Sequence, residues 1–161
     1  MLSDRITRRA ALLGLTALAG CGFAPIHGTG STLREQLTFD TQDTVAGFEL
    51  RGRLEERLGV SASPRYLLKV TQTSRRRASA IAADGDTTRF NLLGTASWTL
   101  TEIAKGDRLD SGDVQTFTGF ATTGSTSATQ AAEDDASRRL SVALADMIVS
   151  RLLLLEPSVA P

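Results

Sequence analysis

Cysteine and histidine are almost absent, with Cys21 the only thiol and His27 the only imidazole in 161 residues. With one of each, the usual zinc ligand sets and the Ser-His-Asp or Cys-His nucleophile arrangements cannot be assembled within the chain, and no internal disulfide can form. No apolar run reaches the roughly twenty residues that a helix needs to cross a bilayer. Neither sign of charge dominates, since 18 basic residues face 18 acidic ones, so global charge does not favour nucleic acid and an anionic partner has to be held by a local cluster. No glycine-rich phosphate loop follows a strand. The carboxylates Asp84 and Asp86, and Asp107, Asp110 and Asp113, fall in turn regions where solvated turn formers are the ordinary reading, and their spacing is not that of a twelve-residue calcium loop. The composition therefore implies no enzyme, no cofactor and no metal; it describes a binding protein.

What is present begins with an export signal. Arg5, Arg8 and Arg9 form a basic start, Ala10 to Ala19 an apolar stretch of about ten residues, and Ala19-Gly20 a small-residue exit. Leu18-Ala19-Gly20-Cys21 resembles the lipobox of bacterial lipoproteins, in which the cysteine sulfur is acylated before the preceding peptide bond is cut. One acyl chain binds a membrane only marginally, whereas two or more hold it stably, so a tri-acylated Cys21 is a lasting anchor. The other reading of Cys21 is a small buried hydrophobe at the start of a domain. Paired Arg8-Arg9 also fits a degenerate twin-arginine signal, and Sec export fits equally.

Removal of residues 1–20 leaves enough chain for one domain. The expected division is a signal peptide over 1–20, a lipidated tether over 21–34 rich in Gly, Pro and small polar residues, one folded domain over 35–157, and a disordered tail over 158–161. Within the domain, Leu37 to Asp40 is a short strand. Leu50, Leu54 and Leu58 recur every four residues and predict a helix from Thr44, capped by Asp43 or Thr44 and stopped by Gly59. Glu49 with Arg53, and Arg51 with Glu55, are opposite charges four apart on its exposed face. Alternating residues from Tyr66 toward Ala82, Thr87 to Ile103 and Leu109 to Ala121 predict three strands joined through Ala83-Asp84-Gly85-Asp86 and Lys105-Gly106-Asp107. Ser127, with Gln130 at the capping-box position, opens a last helix. Its stripe of Ala132, Ala136, Leu140, Ala143, Leu144, Met147, Ile148, Leu152 and Leu155 covers the sheet, and Pro157 ends it. The fold class expected is α+β: a two-layer sandwich in which a mostly antiparallel sheet of about four strands lies under two helices.

Sixteen of the 18 basic residues are arginine. Arg75, Arg76 and Arg77 lie near the far end of the first long strand, and Arg89 enters the returning strand across the turn. Antiparallel pairing brings these four to one end of the sheet, a candidate anion site because guanidinium forks grip phosphates bidentately. The alternative is a solvated edge whose charges block edge-to-edge aggregation.

Leu18 to Pro25, with its Cys-Gly-Phe-x-Pro start, the Leu50-Arg51-Gly52-Arg53-Leu54 helix, the strand order, and the closing segments Ala131 to Ala136 and Leu144 to Leu152 together resemble the lipopolysaccharide-assembly lipoproteins of the LptE family. The resemblance implies a non-enzymatic outer-membrane lipoprotein, anchored through Cys21, that plugs and helps to assemble an LPS-translocating β-barrel and binds lipopolysaccharide. It supplies no positions for lipopolysaccharide contact; Arg75, Arg76, Arg77 and Arg89 come from the reading of the strands alone. A rival function of another class is an auxiliary lipoprotein subunit of a periplasmic lipid-transport ABC system.

Overall fold

A computed structural model describes residues 33–81, 87–122 and 124–159. The chain runs β1 (Leu37–Thr41), α1 (Val45–Leu58), β2 (Tyr66–Ile81), β3 (Thr87–Glu102), β4 (Arg108–Ala121) and α2 (Thr126–Val159). The sheet is four-stranded in the order β1-β2-β3-β4, with both helices on one face, which is the expected α+β sandwich. The pairs β2–β3 and β3–β4 are antiparallel, as hairpin-linked strands must be. β1 pairs with β2 in parallel, Leu37 opposite Tyr66 and Phe39 opposite Leu68, because α1 carries the chain back across the layer before β2 begins.

Local chemistry sets the bounds of α1. The Thr44 side chain accepts from the Gly47 amide at 3.1 Å, satisfying one orphan donor of the first turn, and Gly59 closes the other end at φ 80°. Arg51 donates to Glu55 at 2.7 Å as its spacing predicts. Glu49 and Arg53 do not form the expected pair. Arg53 instead reaches across to α2, its Nε and Nη2 donating to the two carboxylate oxygens of Asp146 at 2.9 and 3.1 Å, with Glu56 as a second partner. A bidentate fork to a carboxylate outcompetes a single solvent-exposed contact.

The core lies between the sheet and the helices. Leu68, Val70, Ala96, Trp98, Leu100 and Val114 from the strands meet Leu50, Leu54, Leu58, Leu140, Leu144, Ile148 and Leu152 from the helices. Leu33, which falls in the segment read as tether, is fully buried and belongs to this core. The α2 stripe is broader than expected: Ala145 and Val149 are buried and Met147 is 37% exposed, because α2 packs on α1 as well as on β3 and β4. Ser125, not Ser127, caps α2, its hydroxyl accepting from the Ala128 amide at 3.3 Å. The helix continues through Pro157 to Val159; a proline in a final turn forfeits one backbone bond without breaking the turns before it. The turn at 83–86 lies outside the described residues.

Candidate functional site

Side chains alternate between the faces of a strand, and the register turns this into rows. On the helix side the rows are Leu68–Leu100–Asp110, Val70–Trp98–Gly112, Gln72–Ala96–Val114, Ser74–Gly94–Thr116 and Arg76–Leu92–Thr118. On the other side they are Lys69–Thr99–Ser111, Thr71–Ser97–Asp113, Thr73–Thr95–Gln115, Arg75–Leu93–Phe117 and Arg77–Asn91–Gly119, with Arg89 opposite Ala121 beyond them. Neither helix covers this second face.

The alternation divides the arginine set. Arg75, Arg77 and Arg89 share the open face near the far end of the sheet. Arg76 does not join them, since an even-numbered position on β2 points to the helix side. There its guanidinium lies 4.9 Å from the Phe90 ring centroid and 3.2 Å from Glu133 of α2, and Phe90 stacks on Phe120 with centroids 5.8 Å apart. Arg76 is thus a tie between strand and helix, and the candidate anion site contracts to Arg75, Arg77 and Arg89.

These three have no carboxylate partner among the described residues, whereas the basic residues nearer the start of β2 are neutralised. Lys69 pairs with Asp40 at 3.2 Å and Arg65 with Glu102 at 3.2 Å. Glu102 also takes Lys105 at 3.0 Å. The Lys105 ammonium, helped by Arg65 and opposed by burial, holds the Glu102 carboxyl below its ordinary range. Among the described residues the open face is therefore compensated at one end and cationic at the other.

Apolar surface accompanies the cationic end. Phe117 is 64% exposed, unlike its strand neighbours Val114 and Phe120, and Leu93 lies beside it in the Arg75 row. A shallow groove of about 600 Å³ runs over Thr73, Arg75, Leu93, Thr95, Gln115 and Phe117. The sequence pattern marked Phe117 only as a strand residue; its odd-numbered place, out of phase with Val114 and Phe120, was the signal for the open face. No group of three or more metal-ligating side chains occurs among the described residues, and none of their helices is long and apolar enough to cross a membrane. Cys21 lies outside the described residues.

The rows and their cover define a class: a small open-faced α+β domain whose bare sheet face presents arginines next to apolar side chains. The sequence model of the lipopolysaccharide-assembly family LptE matches residues 23–152, and the chain belongs to that family of envelope lipoproteins. Several solved structures share the fold. A Caulobacter crescentus CB15 chain assigned as a lipoprotein is 22% identical, with a TM-score of 0.64 over 76% of this chain and 92% of the other. Rare lipoprotein B from Shewanella oneidensis is 12% identical, with a TM-score of 0.62 over 78% and 99%. A minor lipoprotein from Acinetobacter baumannii is 18% identical, with a TM-score of 0.61 over 74% and 91%. Comparison with curated proteins gave no match.

Proposed function

We propose that this chain is an outer-membrane lipoprotein, processed after residue 20, acylated on Cys21 and without enzymatic activity, that plugs and assists assembly of the LPS-translocating β-barrel and binds lipopolysaccharide on its open sheet face. The supporting observation is the trio of Arg75, Arg77 and Arg89, without a carboxylate partner among the described residues, beside Leu93 and Phe117. A phosphorylated glycolipid carries anionic phosphates next to acyl chains. Guanidinium forks meet the phosphates, and the two apolar side chains meet the neighbouring hydrocarbon. The anchor at Cys21 would hold the domain at the periplasmic side of its membrane, with residues before Leu33 as the tether. Family membership favours this reading over an auxiliary subunit of a lipid-transport ABC system.

Two experiments test the two halves. Affinity purification of the acylated chain from detergent-solubilised outer membrane is expected to bring a β-barrel protein with it, and recovery of a permease and a substrate-binding subunit in its place would overturn the barrel half. Reversal of Arg75, Arg77 and Arg89 to glutamate is expected to weaken lipopolysaccharide binding at least tenfold, with Arg76→Ala binding as the parent does. Equal binding by the triple variant would overturn the second half. A Cys21→Ala variant that still fractionates with the membrane and takes up labelled fatty acid would remove the anchor.

A further inference from the structure

The two edges of the sheet are unlike. β1 is five residues long, whereas β4 runs for fourteen, from Arg108 to Ala121. No strand pairs with the outer edge of β4 among the described residues. Soluble proteins usually blunt such an edge with lysine, proline or bulges along its length. β4 contains neither lysine nor proline, and its irregular pairing is confined to the Leu100/Thr101 step at its start.

A cavity of about 300 Å³ opens where this edge meets the last turns of α2. Its apolar wall is Trp98, Leu154 and Leu155, and Leu154 is 72% exposed. The indole lies flat on Gly112: a Cβ at that glycine would stand 3.2 to 3.3 Å from Cζ2, Cε2 and Nε1 of Trp98. The N–H side of the ring therefore sits against the backbone of the free edge. Trp98 Nε1 is buried and has no hydrogen-bond acceptor among the described residues. A buried donor normally has one, because losing its bond to water without replacement is unfavourable.

We infer that this edge and cavity receive an extended segment of the β-barrel partner, which pairs with β4, places an apolar side chain against Leu154 and Leu155, and, as the indole shifts off Gly112, brings a carbonyl to the Trp98 N–H. The inference rests on the reading that the chain works in complex with such a barrel. Main-chain pairing would satisfy the open edge and supplies both donors and acceptors. Charge does not favour an anionic lipid here, because Asp110 stands against the single cation Arg151 at the cavity, while the Asp113 carboxylate lies on the open face and accepts from Ser97. The site is distinct from the arginine face, so the two can be occupied together.

Trp98 is the only tryptophan of the chain, so 5-fluorotryptophan gives a single ¹⁹F resonance that reads this site alone. The labelled full chain, bound in detergent to the unlabelled barrel protein that co-purifies with it, is expected to show a shifted resonance, and amides over 108–114 are expected to exchange more slowly in the complex. Leu154→Asp, at an exposed position, is expected to abolish the shift and weaken the complex about tenfold; Arg75→Glu is expected to leave the shift intact. A complex that forms with neither resonance shift nor amide protection overturns the inference while leaving the barrel reading standing. The same shift produced by lipopolysaccharide micelles, or by raising the concentration of the chain alone, also overturns it, assigning the site to lipid or to a second copy. Failure of any complex to form overturns both.

Discussion

The two faces of this sheet can be compared row by row, since β2, β3 and β4 contribute alternate residues to each. In the covered row Ser74–Gly94–Thr116, the side chain of Leu140 rests on the glycine; in the next row, Arg75–Leu93–Phe117, nothing of the helix layer is above. One face buries most of the large apolar side chains of the strands, and the other keeps three arginines and a phenylalanine in solvent. Folding free energy thus concentrates on one face, leaving residues on the other open to selection for binding. Substitutions one position apart should have opposite consequences.

The largest effect is expected at Leu140. Truncation to alanine leaves a cavity above Gly94 and should lower stability by about 2–5 kcal/mol, measured as a fall in the urea midpoint at constant m-value. Next is Gly94→Ala. Its Cβ would lie 2.8 Å from Leu140 Cδ2 and 2.9 Å from Cγ, so the leucine must shift, at a cost of about 1–3 kcal/mol. The pair should couple: the alanine at 94 is expected to cost less in a Leu140→Ala background, as a double-mutant cycle would read out. Strict additivity would mean that Leu140 does not rest on the glycine as described.

The arginines sharpen the comparison because they are consecutive. Arg76→Ala, on the covered side, removes the Glu133 pair and the contact with Phe90 and is expected to cost about 1 kcal/mol with lipopolysaccharide binding unchanged. Arg75→Ala, one residue earlier, is expected to change stability by no more than about 0.5 kcal/mol and to reduce binding. Matched unfolding and lipopolysaccharide titrations would check both. Exchange of these outcomes would mean that β2 is paired one residue out of register, since a single slip moves every side chain to the opposite face.

Much of this was legible in the chain. Leucines four apart marked α1, period-two alternation marked β2 to β4, and Thr44 and Gly59 marked the helix ends because capping is local chemistry. Phase was legible as well: Leu68 and Val70 are even-numbered, so Arg76 follows them to the covered side and parts from Arg75 and Arg77. What could not be read depends on distant partners. Arg53 selects Asp146, 93 residues away, over Glu49 on its own helix. The parallel pairing of β1 depends on where α1 delivers the chain. The Trp98 N–H beside Gly112, without an acceptor among the described residues, exists only once β3 and β4 are in register.

The smallest expected effect concerns the exception to the comparison, a carboxylate among the buried residues of the covered rows. Glu102 is 7% exposed and stands opposite Tyr66 at the start of β2. Lys105, and after it Arg65, favour its ionised form more than burial opposes it, so its carboxyl titrates below the ordinary value of 4.5 in the folded chain. A group with a depressed folded-state pKa binds fewer protons folded than unfolded, so its contribution is complete above about pH 4.5 and is lost as the pH falls through the folded-state value. Glu102→Gln removes the ionisation but keeps much of the shape. The stability difference between parent and variant, from urea midpoints, is expected to hold constant from pH 7 to pH 5 and to narrow between pH 4.5 and pH 3. A difference that stays constant into acid would mean that the Lys105 and Arg65 contacts do not favour the charged carboxylate, and that the covered face tolerates Glu102 through packing alone.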